Sequence, residues 1–287
     1  MWNKLSLFGD INVNYVQVKS DTDNSVIIPM DLKNPIWDSN TIALANFNHS
    51  VSASSFEGAN ISYSKYKIYR FDEIDGSLKY IATVDNTTKA IKDFTGASNT
   101  AYHYLIYPIA ESEEMGNAIV SETIVPKFKY WSVIGITPTD ENNVYIVKPE
   151  NIWNFWLSPE VGNISQTLQK KIKTGFKRHP NIINSKVNYT TIPITILLGD
   201  LSCIESEYCD DSVKKKNRWN EFVNSSMPKI LTDPKGECIL GDITSTSTQV
   251  AYNIIEMPTT LTFEFTQTGS VDDMTVYSTE VEPDVSY

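Results

Sequence analysis

Residues 66–84 read as a β-hairpin: Tyr66-Lys-Ile-Tyr-Arg-Phe alternates apolar and polar positions, Asp75-Gly76 follows, and Leu78-Lys-Tyr-Ile-Ala-Thr-Val84 returns. Asp-Gly between two alternating runs favours a hairpin because both residues tolerate the positive φ that matches the turn to the twist of its strands. Ile91-Lys-Asp-Phe-Thr-Gly and Tyr102-His-Tyr-Leu-Ile-Tyr-Pro-Ile come next. Strands of this length, punctuated every ~8–12 residues by Gly, Asn or Asp, predict an all-β sandwich rather than a βαβ enzyme core. A chain of that class is expected to be a binding or assembly module.

With 287 residues the chain has room for about two domains. Its 24 basic and 35 acidic residues give a formal net charge of −11. That balance disfavours nonspecific phosphate-backbone binding, which needs clustered Lys and Arg to displace counterions. The first residues, Met1-Trp-Asn-Lys-Leu-Ser-Leu-Phe, lack the apolar core of a signal peptide, and no run of ~18 apolar residues occurs. Synthesis and folding in a cytoplasm, with no membrane span, is the expectation. Cys203, Cys209 and Cys238 are an odd set without CxxC spacing, so they read as reduced thiols. Asn-x-Ser/Thr triplets at Asn86, Asn163, Asn188 and Asn224 carry no glycan meaning without secretion.

The punctuation divides the chain into four parts. Residues 1–39 hold two short alternating runs, Ile11-Asn-Val-Asn-Tyr-Val and Val26-Ile-Ile-Pro-Met, and are expected to be an arm leaning on a neighbouring domain or subunit. Residues 40–127 are the sandwich, opening with Thr41-Ile-Ala-Leu-Ala-Asn-Phe and closing with Ala118-Ile-Val-Ser-Glu-Thr-Ile-Val. Residues 128–276 form a second β-rich domain, with strands predicted at Asn143-Val-Tyr-Ile-Val, Ile152-Trp-Asn-Phe-Trp-Leu, Thr190-Thr-Ile-Pro-Ile-Thr-Ile, Glu237-Cys-Ile-Leu-Gly-Asp-Ile and Thr260-Leu-Thr-Phe-Glu-Phe-Thr. Two helices are expected there. One, over 165–176, places Leu168, Ile172 and Phe176 on a stripe; the other, over 212–224, groups Trp219, Phe222 and Val223, with Asp210 and Asp211 near its positive end. Residues 277–287 are acidic and aperiodic, and are expected to be a loose tail. The fold class is mainly β: a sandwich plus a second β-rich domain carrying about two helices.

Tyr66-Lys-Ile-Tyr-Arg, Ile91-Lys-Asp-Phe-Thr and Tyr102-His-Tyr-Leu-Ile-Tyr-Pro-Ile-Ala resemble the third, fifth and sixth strands of a fibronectin type III domain. The resemblance implies that Tyr104, near the start of the sixth strand, hydrogen-bonds back to the preceding loop. The Trp usual on that family's second strand is missing, with Phe56 the nearest bulky residue. Further on, Trp153-Asn-Phe-Trp-Leu, Arg178-His-Pro, Val187-Asn-Tyr-Thr, Trp219-Asn-Glu-Phe, Leu231-Thr-Asp-Pro-Lys-Gly-Glu-Cys-Ile-Leu-Gly-Asp and Phe263-Glu-Phe-Thr look like tail proteins of phages infecting Firmicutes. Over roughly 37–275 this likeness implies a structural virion part of the tail or baseplate, made in the bacterial host cytoplasm. It would form a homo-oligomeric ring and contact neighbouring tail proteins. If copies surround a channel, surplus acid facing inward would let DNA pass without specific binding.

No catalytic set emerges, and no metal or cofactor site is assigned. His49, His103 and His179 are too scattered for HExxH zinc chemistry, and there is no GxSxG elbow. Asp72-Glu-Ile-Asp-Gly and Glu111-Ser-Glu-Glu suggest calcium ligands, but the first lacks an EF-hand's 12-residue loop and is explained by its turn. Two basic clusters, Lys170-Lys171-Lys173 with Lys177-Arg178, and Lys214-Lys215-Lys216 with Arg218, read as solvated helix faces or as contacts to an acidic neighbour, ahead of DNA. Trp153, Trp156, Tyr145 and Tyr189 could stack on sugar rings, which gives the alternative function, a glycan-binding adhesin or accessory module. Trp153 and Trp156, three apart on a strand, would face opposite sides.

Overall fold

The computed structural model describes residues 16–30, 63–111, 113, 115–140, 143–155, 160–173, 181–197, 212–249 and 260–279. Among them the chain is mainly β, with sixteen strands, one α-helix and a short 3-10 turn. The strands are β1 (Lys19–Ser20), β2 (Val26–Pro29), β3 (Tyr63–Asp72), β4 (Leu78–Asp85), β5 (Ala90–Asp93), β6 (Tyr102–Ala110), β7 (Ile119–Val120), β8 (Trp131–Pro138) and β9 (Val144–Phe155). The series continues with β10 (Glu160–Val161), β11 (Ser165–Lys173), β12 (Asn181–Leu197), β13 (Lys229–Thr232), β14 (Cys238–Gln249), β15 (Thr260–Gly269) and β16 (Thr275–Ser278). The helix, α1, spans Ser212–Asn224.

The expected hairpin is β3–β4, in register from Lys65↔Asp85 to Phe71↔Leu78. Its connection is longer than a two-residue Asp-Gly turn. Only Gly76 takes positive φ, 71°, its N–H bonds the Asp72 carbonyl at 3.0 Å, and Asp72 Oδ1 accepts from Ile74 N at 2.8 Å. Asp72 therefore closes the loop with its own side chain, as Asp readily does in turns.

A small sheet in the order β4-β3-β6-β7 faces β2 and β5 of a large one. Alternation decides which residues meet between them. β6 buries Tyr102, Tyr104, Ile106 and Ala110, β3 buries Tyr66, Ile68 and Arg70, and Val26, Ile28 and Ile91 close the core from the other side. Strands therefore lie where the runs beginning at Tyr66, Ile91 and Tyr102 predict them. The N-terminal run Val26-Ile-Ile-Pro is strand β2, paired antiparallel with β5 of the same chain. Predicted strand 41–47 and Phe56 lie outside the described residues.

The large sheet has the order β1-β2-β5-β16-β9-β8-β13-β14-β15-β12-β10, with β11 on β12. It runs without a break from the first β-block into the second, because β16 pairs antiparallel with β5 and parallel with β9. Tyr277 and Ser278, assigned to the tail from sequence, are strand residues of β16 in that junction. β9 merges two predicted runs into one, and β12, β14 and β15 fall where alternation puts them.

The helix expected at 165–176 is a correction: 165–173 is strand β11, in register with β12 from Ser165↔Thr191 to Lys173↔Asn181. Positions four apart share a face of a strand as well as of a helix, so the Leu168, Ile172 spacing fits both periods, and pairing with β12 decides. Phe176 lies outside the described residues. The other expected helix is α1, and its apolar stripe packs as read. Trp219 is fully buried, with Trp153, Phe222 and Phe263 rings 5.1, 5.7 and 5.3 Å away.

Candidate functional site

Two features stand out as places where this chain can meet something else: a polar cleft along the seam between the sheets, and a ribbon of two strands at the end of the large sheet.

The cleft, about 740 Å³, lies among the β3–β4 hairpin, the start of β14 and the turn Val271–Asp273. Behind it is a buried ionic network. Arg70 Nη1 meets Asp93 Oδ2 at 2.7 Å and donates to Thr95 Oγ1 at 2.9 Å, while its guanidinium lies 4.5 Å from the Tyr102 ring centroid. Asp93, fully buried at the end of β5, also accepts from Tyr104 Oη at 3.0 Å, Thr95 N at 2.8 Å and Thr95 Oγ1 at 2.7 Å. Burial works against the charged form, yet Arg70 and the Thr95 donors hold the Asp93 carboxyl below the usual carboxylate range. Burial, reinforced by the charge on Asp93, pushes the Tyr104 phenol well up. The fold-back expected of Tyr104 falls instead to Tyr102, whose Oη accepts from Ala97 N at 3.0 Å. Both tyrosines sit on the inward face of β6, two residues apart, and the loop amide lies within reach of the first.

Lys79 lies between this network and the turn. Its Nζ donates to the Val271 carbonyl at 2.7 Å, with Asp272 Oδ1 at 3.9 Å. Burial, with Arg70 close by, pulls the amine down to about 8. Cys238 also lines the cleft; burial pushes its thiol up to about 12, which keeps it protonated and unreactive. Arg70, Lys79, Asp72 and Asp75 are bonded to the protein itself. Arg70 holds Asp93, Lys79 holds a carbonyl, and Asp72 and Asp75 accept amides of their own turn. They brace the seam and do not converge on a point where a substrate atom could sit.

The ribbon is β11 with residues 181–190 of β12. Beyond Thr191, which pairs with Thr266 of β15, β12 pairs only with β11, and β11 pairs only with β12, among the described residues. Both outer edges of this ribbon therefore present backbone N–H and C=O groups with no strand partner in the described chain. Beside its base, Val161 and Ile164 are exposed apolar residues.

The other residues picked out from sequence scatter. His103 stacks on Phe71 and pairs through Nδ1 with Glu73 Oε1 at 2.7 Å; His49 and His179 lie outside the described residues. Among those described, no group of three His, Cys, Asp or Glu is arranged to hold a metal ion. Trp153 does not offer a free sugar platform, because Trp219 packs edge-on to it and the Arg218 guanidinium lies 5.4 Å from its ring centroid. Tyr145 packs on the core around Ile134 and Val276, and Trp156 lies outside the described residues. In the second basic cluster Arg218 is anchored, donating to the Glu150 carbonyl, while Lys215 and Lys216 are half-buried. Cys203, Cys209, Lys177 and Arg178 are outside the described residues, as are two positions of Glu111-Ser-Glu-Glu. Sequence reasoning missed the Arg70–Asp93 network. Its one visible signal is an Arg on an inward position of an alternating strand.

By fold and site, then, the chain is a mainly β protein with a braced seam and a strand ribbon whose outer edges are unpaired among the described residues. No protein-family model matches it, and no curated protein does. Among solved structures it is similar to a chain in the tail of an empty GTA particle refined with helical C6 symmetry, at TM-score 0.28 and 10% identity, over 48% of this chain and 90% of that one. It is likewise similar to a chain in the virion of a native gene transfer agent particle, at TM-score 0.28 and 11% identity, over 48% and 92%. Likeness of that size leaves the functional reading to the residues themselves. No helix among the described residues is long and apolar enough to cross a membrane.

Proposed function

We propose that this protein is a structural component of a phage or phage-like tail or baseplate, of the kind found in phages infecting Firmicutes, and that copies of it join through their β-edges into a ring. The observation that carries the reading is the β11–β12 ribbon. A two-stranded ribbon is marginally stable alone in water, and exposed edges are templates for pairing with another chain, so a neighbouring copy that covers them stabilises both. The sequence likeness to tail proteins supplies the setting, and the fibronectin type III-like sandwich would be carried at the opposite end of the ring-building sheet from the ribbon. The protein works in the virion tail beside other tail proteins, and DNA would pass its acidic surface without specific binding. It is not an enzyme in this reading, since Arg70, Lys79, Asp72 and Asp75 of the cleft hold the fold together.

The test has two arms: the mass of the purified full chain by light scattering, and imaging of assembled particles with antibody to this chain. A closed oligomer, or a ring of label on the tail, is expected. A chain that is monomeric at all concentrations and absent from particles would overturn the reading. Binding of that monomer to a glycan array would favour the adhesin instead.

A further inference from the structure

Between Val161 and Leu198 the sequence carries Lys170, Lys171, Lys173, Lys177, Arg178 and Lys186 and no Asp or Glu, in a chain whose formal net charge is −11. Topology gives four of these six cations a place. Lys170, Lys171 and Lys173 are on β11 opposite Asn184, Ile183 and Asn181, and Lys186 is on β12 where the register shifts, all on the ribbon whose edges are unpaired among the described residues. Like charges gathered on one narrow element repel each other, and a negative surface laid against it relieves that repulsion. The same chain carries such a surface. At the cleft, Asp75, Glu237, Asp272 and Asp273 are exposed, and the two cations among the lining residues, Arg70 and Lys79, are already engaged by Asp93 and the Val271 carbonyl.

We propose that the basic ribbon of one copy docks by charge on the carboxylate-rimmed cleft of a second copy. The inference rests on the self-assembly reading above and adds the surfaces to it. Ribbon and cleft are different patches, so the contact is head-to-tail. Such a contact repeats from copy to copy and closes into a ring or continues as a filament. It also makes assembly depend on ionic strength, because contacts between exposed charges are screened over about 10 Å at ~0.1 M salt.

The experiment is a charge swap on the full chain, read by light scattering and negative-stain microscopy at low and high salt, with circular dichroism to show that each variant is folded. The ribbon variant K170E/K171E/K173E and the cleft variant D272K/D273K are each expected to assemble roughly tenfold less tightly than wild type. Mixed one to one they should assemble again, since each acidic ribbon then meets a basic cleft and each basic ribbon an acidic one. Folded variants that assemble like wild type, or a mixture that fails to recover, would overturn the docking while leaving ring formation standing. A wild-type chain that is monomeric at every salt concentration would sink both. Loss of binding to a short DNA duplex by the ribbon variant, with assembly unchanged, would overturn the proposal in favour of nucleic-acid contact.

Discussion

Asp93→Asn removes one charge and almost no volume from the centre of the seam. Asp93 is fully buried and receives four hydrogen bonds, from Arg70, Tyr104 and both the amide and hydroxyl of Thr95. Without the carboxylate the Arg70 guanidinium, with a side chain only 7% exposed, is left as an uncompensated cation. Breaking a buried pair from one side costs about 3–5 kcal/mol, a large part of the ~5–15 kcal/mol that holds a typical domain folded. Removing both partners is gentler, because no isolated charge is stranded. The double variant R70M/D93N should therefore be more stable than the sum of the single changes implies, with a coupling of about 2–3 kcal/mol. Urea unfolding followed by circular dichroism, with R70M, D93N and the double variant side by side, measures this. A D93N protein within about 1 kcal/mol of wild type, or strictly additive changes, would refute the account of the network. Acid gives an independent view. The Asp93 carboxyl titrates below its ordinary range, so its contribution is complete above that range and is lost as pH falls through the depressed value; the D93N protein should lack that loss.

Lys79 predicts a slope of the same sign, in a different window, at alkaline pH. Its amine is near 8 in the fold and 10.5 when exposed, so folding sheds a proton between those values, and the site's penalty, on the order of 3 kcal/mol, is relieved as pH rises through that window. Wild-type stability minus that of K79M should rise from pH 8 to 10.5; a constant difference would remove the basis for it. Trp219→Ala empties the centre of the aromatic cluster that fixes α1 to the sheet and should cost about 3–5 kcal/mol in urea melts, while a change under ~1 kcal/mol would mean that the helix is not anchored there. Gly236→Ala meets both a φ of +114° and a Cβ position 2.8 Å from the Ser98 carbonyl oxygen, so a lowered melting temperature is expected, and an unchanged one would speak against the close approach of these two loops.

How much of this was legible depends on the range of the forces involved. The hairpin at 66–84, the alternation of 102–110 and the helix at 212–224 are written in local periodicity. Each buries the side that its apolar residues mark, as Tyr104 and Trp219 do. The 165–173 segment reads as a helix because apolar positions four apart satisfy two periods at once, and the tie is broken by pairing with the next strand, β12, which the segment's own periodicity does not show. Arg70 and Asp93 looked like ordinary strand residues; that they meet, with Tyr104 and Thr95 around them, follows from sheets closing over each other. The cleft was likewise invisible, since its lining comes from the β3–β4 hairpin, β14 and the 271–273 turn.

The amino-acid order alone set the β class, the one helix that persists and the gathering of cations between 161 and 198, because these depend on neighbours along the chain. The structure decided that β16 would join the two blocks into one sheet, that a salt bridge would brace the seam, and that Lys170, Lys171 and Lys173 would lie on a ribbon whose edges are unpaired among the described residues. Such outcomes come from strand pairing and burial between residues far apart in sequence, and pairing energy is defined only once both partners are in place.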